Sequence, residues 1–148
     1  MNQKKLIVIT GHYGSGKTNF AVNLALKEAK SGKRCTVIDL DIVNPYFRTA
    51  DFEELFRENG ITFRAPLYAN SNLDIPALNI DLRSIINETD RVIIDVGGDD
   101  EGAKALGRFA DEISAAGYEM LYVINKYRYL TKEPEEAFAA PTRLLACL

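Results

Sequence analysis

The run from Gly11 to Thr18 has the residue types and spacing of a loop that binds phosphate groups. It reads Gly-His-Tyr-Gly-Ser-Gly-Lys-Thr and fits the pattern G-x-x-x-x-G-K-[ST] in full. Glycines let the backbone adopt positive φ angles and approach phosphate oxygens, and the N-terminus of a following helix attracts the anion. The lysine supplies a full positive charge, and the threonine hydroxyl is a hard oxygen ligand suited to Mg²⁺. The predicted nucleotide-binding residues of this loop are Gly11, Gly14, Ser15, Gly16, Lys17 and Thr18.

Two acidic segments are candidates for metal and water chemistry beside such a loop. Asp39 and Asp41 follow an apolar run, and their spacing of two places both carboxylates on the same side of an extended chain. Paired acids can hold Mg²⁺ through its waters or orient an attacking water, although Asp39 alone is also consistent with a simple strand-end hydrogen bond. Asp95 ends another apolar run and is placed to meet Mg²⁺. The N–H of Gly98, three residues later, can contact a γ-phosphate.

These candidate residues lie at the ends of short apolar segments that alternate with longer amphipathic ones. Continuous β-branched runs indicate strands buried on both faces, and apolar residues near helical spacing indicate helices. The alternation predicts an α/β fold with three layers, α/β/α, and a mostly parallel sheet that binds ligands at its carboxyl edge. The predicted strands are Leu6–Ile9, Cys35–Ile38, Ile61–Phe63, Val92–Ile94 and Met120–Ile124. The predicted helices are Lys17–Lys30, a helix marked by Phe52, Leu55 and Phe56 that ends at Asn59-Gly60, a short helix around Leu82–Ile86, and Ala103–Ala115. Residues 65–80 are predicted to form a long loop.

The composition excludes several other classes of protein. The 148 residues, 47% hydrophobic and 26% charged, predict one globular domain over residues 1–148. The net charge of −3 gives no strong signal for nucleic acid, and the longest apolar runs are far shorter than the ~20 residues of a membrane span. Two distant cysteines and one histidine argue against a disulfide framework and against His-rich metal sites, so a reduced, cytoplasmic location is predicted.

Two further features at the strand ends leave alternatives open. His12 lies inside the loop, where it could serve packing or hydrogen bonding, act directly near the phosphates, or ligate a metal without a second histidine. The sequence Asn125–Arg128 is similar to the guanine-reading motif N-K-x-D, but arginine only donates hydrogen bonds, which disfavours GTP recognition by this route. This segment therefore either forms a surface for a partner or covers the end of the sheet.

The three motifs, taken in their order along the chain, resemble the MinD/ParA group of P-loop ATPases, which includes the CobQ/CobB-type domains. They are Gly11–Thr18, Asp39–Asp41 and Asp95–Gly98, and the resemblance extends from about Leu6 to about Glu136. The phosphate loop alone is shared by many families of P-loop proteins. The paired acids on the next strand and the D-x-x-G motif on a later strand are what point to this group. The resemblance implies the P-loop NTPase fold, with ATP and Mg²⁺ as cofactors.

The resemblance also assigns roles to individual residues. It implies that Lys17 and Thr18 bind phosphate and Mg²⁺, that Asp41 positions the hydrolytic water, and that Asp39 and Asp95 support the metal. Lys17 and Asp41 are therefore the predicted catalytic residues, and Thr18, Asp39 and Asp95 the predicted metal residues. The segment 44–48 is expected to be a switch loop, and the group implies ATP-dependent homodimers and a protein partner that the sequence does not identify.

The chain departs from the group's pattern in two places. His12 stands where the group has a second lysine that reaches across the dimer, so catalysis across subunits is in doubt. The group also carries a later strand that ends in Asn and helps to read adenine, and no such strand is evident here. Residues 137–148 form an atypical tail interrupted by Pro141, and the sequence is therefore expected to be shortened or altered at its C-terminus.

The sequence thus favours an ATP-binding molecular switch of the MinD/ParA type that hydrolyses ATP slowly. Two alternatives remain. One is a phosphotransferase (kinase) that acts on a small molecule, with Tyr46, Phe47 and residues 65–80 near the acceptor. The other is a module that binds nucleotide without turnover.

Overall fold

The structure, a computed structural model, describes residues 4–41, 49–65 and 80–125, in which a five-stranded sheet lies between two layers of helices. The strands are β1 (Leu6–Thr10), β2 (Cys35–Asp39), β3 (Thr62–Arg64), β4 (Arg91–Asp95) and β5 (Tyr118–Tyr122). Their order across the sheet is β3-β2-β4-β1-β5, and every neighbouring pair is parallel. All five carboxyl ends therefore meet at one edge, which confirms the predicted α/β fold class.

Helices cover both faces of this sheet. They are α1 (Lys17–Lys30), α2 (Glu53–Glu58), α3 (Leu82–Glu88), α4 (Asp100–Gly107) and α5 (Ala110–Ala116), with a short 3-10 helix over Thr49–Phe52. Alternate side chains of β1 point to opposite faces, as the two-residue period of a strand requires. Ile7 and Ile9 pack in one buried cluster with residues of α1 and α2. Leu6 and Val8 pack in the other with residues of α3, α4 and α5.

The register of the central strands sets the positions of the acids. β4 lies between β1 and β2, and Asp95 pairs with Ile9 on one side and Asp39 on the other. Two backbone hydrogen bonds extend this pairing beyond the strand ends: Leu40 N donates to Asp95 O at 2.8 Å, and Val96 N donates to Ile9 O at 3.0 Å. The ends of β1, β2 and β4 are thereby held side by side.

The region after β4 differs from the sequence prediction. In place of one helix over Ala103–Ala115 there are two, α4 and α5, separated by Arg108 and Phe109. Phe109 is buried in the cluster on that face of the sheet, and the turn brings its side chain into this core. The apolar residues keep their helical spacing through this turn, so the sequence pattern predicted one continuous helix. α4 begins earlier than predicted because Asp99 accepts a hydrogen bond from the N–H of Gly102 at 2.8 Å and caps the helix.

The remaining boundaries differ by a few residues. β5 begins at Tyr118 directly after Gly117, which has a φ of 68°, and so lies two residues earlier than predicted. The predictions for residues 44–48, 66–79 and 126–148 lie outside the described residues. Within the three described ranges, no helix has both the length and the apolar character that crossing a membrane requires.

Candidate nucleotide-binding site

The phosphate-binding loop connects β1 to α1. Gly14 and Gly16 have φ angles of 71° and 93°, which are left-handed values that favour glycine. Ser15 N donates to His12 O at 2.9 Å and closes a tight turn. Gly16 is the residue before the helix and has no side chain with which to cap it. The first N–H groups of α1 therefore face the loop and can donate to an anion.

The interior of the loop has the features of a phosphate site. Ser15 Oγ is buried and has no hydrogen-bond partner among the described residues. A buried hydroxyl without a partner costs free energy, and a phosphate oxygen would satisfy it. A Cβ atom placed on Gly11 would lie 2.6 Å from this oxygen and 2.5 Å from the carbonyl oxygen of Val123, so only glycine leaves the space open.

The loop also contacts Gly98, in the segment that follows β4. A Cβ atom placed on Gly98 would lie 2.7 Å from Gly11 O and 3.2 Å from His12 N. Gly98 therefore lies directly against the start of the loop. The contact of its N–H with a γ-phosphate stays a prediction. Thr10 at the end of β1 contributes to the same junction, since its hydroxyl donates to Gly97 O at 3.4 Å and its carbonyl oxygen accepts from Val123 N at 2.8 Å.

The predicted lysine and acids come together beside the loop. Lys17 Nζ donates to Asp41 Oδ2, and it lies 3.8 Å from Asp95 Oδ1. Thr18 Oγ1 donates to Asp95 Oδ2 at 2.8 Å, and Asp39 Oδ1 accepts from Asp41 N at 2.9 Å. All five residues are buried. Elements far apart in the sequence thus form a single charged cluster at the carboxyl edge of the sheet.

Thr49 belongs to this cluster, although no motif indicated it. It begins the 3-10 helix that precedes α2, and its side chain is fully buried. Its hydroxyl donates to Asp95 Oδ2 at 2.6 Å, so this oxygen accepts from both Thr18 and Thr49. A single threonine outside any spacing pattern gave no signal in the sequence, because its proximity to Asp95 depends on packing between elements far apart in the sequence.

Burial and charge act in opposition on the ionisable groups. For Asp95 the largest influence is burial, which raises the pKa of the carboxyl, and Lys17 and the hydroxyls of Thr49 and Thr18 oppose it only in part. Burial alone would lower the pKa of Lys17, but the charge of Asp95 and the hydrogen bond to Asp41 outweigh it, and the pKa is raised. The lysine therefore remains a cation at neutral pH.

The donor set fits Mg²⁺ held together with a nucleotide. Thr18, Asp39 and Asp95 offer hard oxygen atoms, which this ion prefers. Asp95 Oδ1 is buried and makes no hydrogen bond within the described residues, so it is available to a metal ion or to a water bound to one. No cluster of three or more His, Cys, Asp or Glu side chains that could hold a metal by themselves occurs in the described ranges. The phosphates and waters would have to complete the coordination of Mg²⁺.

His12 has an aromatic contact in the structure. Its ring packs edge-to-face against Tyr122 at the end of β5, with ring centroids 6.0 Å apart. This contact agrees with the packing alternative for His12 and leaves its relation to phosphate a prediction. Of the segment 125–128, only Asn125 is within the described residues.

A parallel sheet with a glycine-rich phosphate loop after β1 and an acid at the end of the adjacent strand defines a P-loop nucleotide-binding domain. Comparison with sequence models of protein families then identifies the CobQ/CobB/MinD/ParA nucleotide binding domain over residues 6–144. The chain belongs to this family, which confirms the resemblance found in the sequence.

A solved structure adds a second likeness. The chain is similar to the "BceF Tyrosine Kinase Domain", with 25% sequence identity and a TM-score of 0.62. The alignment covers 97% of this chain and 64% of that one, so the chain spans less than two thirds of the kinase domain. A search of curated proteins finds no match.

Proposed function

We propose that this protein is a molecular switch that binds Mg-ATP and hydrolyses it slowly. Membership of a nucleotide-binding family supports the binding of a nucleotide. The observation that carries the proposal is the contact of Lys17 with both Asp41 and Asp95. The lysine proposed to bind the phosphates is thereby linked to two acids, one at the end of β2 and one at the end of β4.

Phosphate binding should redistribute these contacts. The ammonium group of Lys17 has three N–H donors, and a phosphate in the loop competes with Asp41 for them. When Lys17 turns toward the phosphate, Asp41 loses this donor, and a water molecule can donate a hydrogen bond to its carboxylate in place of the lysine. The presence of a γ-phosphate is thus communicated to the end of β2, which is the physical basis of a switch.

Asp41 is the residue proposed to position the hydrolytic water. The water oxygen attacks the γ-phosphorus, the bond from that phosphorus to the β–γ bridging oxygen breaks, and ADP and inorganic phosphate leave. Mg²⁺, held by Thr18, Asp95 and Asp39, would supply positive charge that stabilises the phosphate oxygens. Gly11, Gly14, Ser15, Gly16 and Gly98 are proposed to contribute backbone or hydroxyl donors to the phosphates.

The test combines calorimetry with phosphate release for ATP, ADP and GTP in one preparation. Lys17→Ala should weaken ATP binding by about 10–100-fold, because it removes a charge-assisted hydrogen bond, and should abolish phosphate release. Lys27→Ala is the matched control, since Lys27 lies exposed on the same helix. Failure of the wild-type protein to bind any nucleoside triphosphate would refute the proposal.

Phosphotransfer is the second candidate, and the likeness to a tyrosine kinase domain favours it. In that case the γ-phosphoryl group passes to an acceptor hydroxyl, such as that of a tyrosine or a small molecule, instead of water. Incubation with γ-labelled ATP distinguishes the two, because a switch releases labelled phosphate while a kinase labels the acceptor. Tight ATP binding with neither outcome would instead indicate a binding module without turnover.

Assembly and location are part of the same proposal. We propose a single domain over residues 1–148, an ATP-dependent homodimer, a further protein partner and a cytoplasmic location. Size measurement with ATP and with ADP tests the dimer directly. An unchanged mass under both conditions would remove dimerisation from the proposal and leave nucleotide binding unaffected.

A further inference from the structure

Thr49 holds one side of the Asp95 carboxylate. Its own side chain is fully buried, and its hydroxyl donates to Asp95 Oδ2 at 2.6 Å. The second donor to that oxygen is Thr18 Oγ1, at 2.8 Å. A carboxylate oxygen has about two lone-pair sites, so these two hydroxyls occupy the hydrogen-bonding capacity of Oδ2.

The other oxygen of the Asp95 carboxylate, Oδ1, differs from Oδ2 in its hydrogen bonding. Oδ1 is buried and accepts no hydrogen bond among the described residues, although Lys17 Nζ lies 3.8 Å away. The two threonines therefore fix the carboxylate with one oxygen occupied and the other directed toward a cation. A partial rotation of the carboxylate would break both hydrogen bonds to Oδ2, so the two donors together oppose such a rotation.

Thr18 is expected to take on a second contact when a metal binds. Its hydroxyl is the one expected to contribute a lone pair to Mg²⁺, and that constrains where its proton points. Thr49 is not expected to bind the metal, and it lies on a separate element, the 3-10 helix that precedes α2. It can go on donating to Oδ2 whatever Thr18 does.

We infer that Thr49 is a positioning residue for Mg²⁺-dependent nucleotide binding, acting through the orientation of Asp95. The inference rests on the proposed function, because it presumes that the site takes a magnesium nucleotide. Residues that hydrogen-bond to metal-binding side chains typically change metal affinity by about 10–100-fold when removed. The same contact also anchors the 3-10 helix to the sheet, so a test must separate orientation of the acid from stability of the fold.

Two comparisons at position 49 isolate the effect of the hydroxyl group: threonine with valine, and serine with alanine. Thr49→Val keeps the shape and removes the donor, whereas Thr49→Ser keeps the donor and removes the methyl group. Thr49→Ala, compared with Thr49→Ser, repeats the comparison without the methyl group and serves if the valine variant does not fold. For each protein, ATP affinity is measured by calorimetry in excess Mg²⁺ and in EDTA, together with the thermal midpoint.

The expected readout is the ratio of ATP affinity in Mg²⁺ to that in EDTA. Loss of the hydroxyl should lower this ratio by about tenfold or more, while Thr49→Ser retains it and affinity in EDTA stays close to the wild type. A ratio unchanged in Thr49→Val, or in Thr49→Ala relative to Thr49→Ser, overturns the inference even if the midpoint falls. If wild-type affinity does not depend on Mg²⁺, the magnesium part of the proposed function fails first, and the role of Thr49 fails with it.

Discussion

Substitution of Gly98 by alanine tests whether the contact between the segment that follows β4 and the phosphate loop is needed for nucleotide binding. The added methyl group would lie 2.7 Å from Gly11 O, 2.8 Å from Gly11 C and 3.2 Å from His12 N. These are backbone atoms of the loop itself, so they cannot move aside as the end of a flexible side chain would.

The size of the required movement follows from these distances. The loop and the end of β4 must separate by about 0.3 Å to reach 3.0 Å, and by about 0.7 Å to reach an ordinary contact of 3.4 Å. Overpacking of this kind costs about 1–3 kcal/mol of stability, and each kcal/mol lowers the thermal midpoint of a domain of this size by about 2–4 °C. Such a movement also shifts the donors of the loop, and the loss of one hydrogen bond to a charged group costs about 1.5–3 kcal/mol, so we expect ATP affinity to fall by about tenfold or more.

Calorimetry with ATP and ADP, alongside a thermal melt, measures both effects. Gly97→Ala is the matched control. Its methyl group would lie 3.2 Å from Asp99 Oδ1 and 3.4 Å from Asp41 Oδ1, and side-chain ends can yield by a few tenths of an ångström. Gly98→Ala should therefore be impaired well beyond Gly97→Ala. Wild-type ATP affinity and stability in Gly98→Ala would show that the close approach of β4 to the loop is not needed, and would refute this reasoning.

Two further predictions concern buried groups at the opposite end of the sheet. Glu28→Gln should destabilise the protein by about 3–5 kcal/mol in denaturant melts, because Arg91 Nε lies 3.0 Å from Glu28 Oε2 and both side chains are buried. Replacing Glu28 and Arg91 together by methionine should cost much less, and equal losses in the two variants would contradict an ion-pair effect. Burial by itself would raise the pKa of Glu28, but hydrogen bonds from Lys33 and Arg91 outweigh it, and the pKa in the folded protein is lowered. The contribution of Glu28 to the free energy of unfolding is therefore fully present above pH 4.5, the pKa in the unfolded chain, and is lost as the pH falls through the lower pKa of the folded state. Burial raises the pKa of the Cys35 thiol to about 12, so alkylation at pH 8, followed by peptide mass analysis, should modify Cys35 only after unfolding. Rapid modification of Cys35 in the native protein would be inconsistent with this burial.

The sequence was most informative where chemistry requires a fixed local spacing. The phosphate loop depends on glycines, a lysine and a threonine within one short run, so its residues were identifiable without knowledge of the fold. Asp39, Asp41 and Asp95 were identifiable for a related reason: each follows an apolar strand, and parallel strands bring their carboxyl ends to one edge.

Features that depend on packing between distant segments were not predictable in this way. Thr49 contacts Asp95 across 46 positions of the sequence, and no local pattern encodes that contact. The separation of α4 from α5 escaped prediction because Phe109 turns into the core at a point where apolar spacing continues as in a helix. Gly98 was predicted to meet a phosphate, but its close approach to Gly11 is visible only in the structure.

The ion pairs of Lys17 also affect how fast a nucleotide can arrive. Asp41 and Asp95 neutralise the positive charge of Lys17 at short range. The whole chain carries a net charge of −3. A polyanion such as ATP therefore approaches without the long-range attraction that accelerates association in electrostatically steered complexes. We expect its association rate not to fall as the salt concentration rises, since there is no long-range attraction for the salt to screen. Occupancy of the site is then governed by how long a nucleotide stays, through contacts that form only after it has entered the loop.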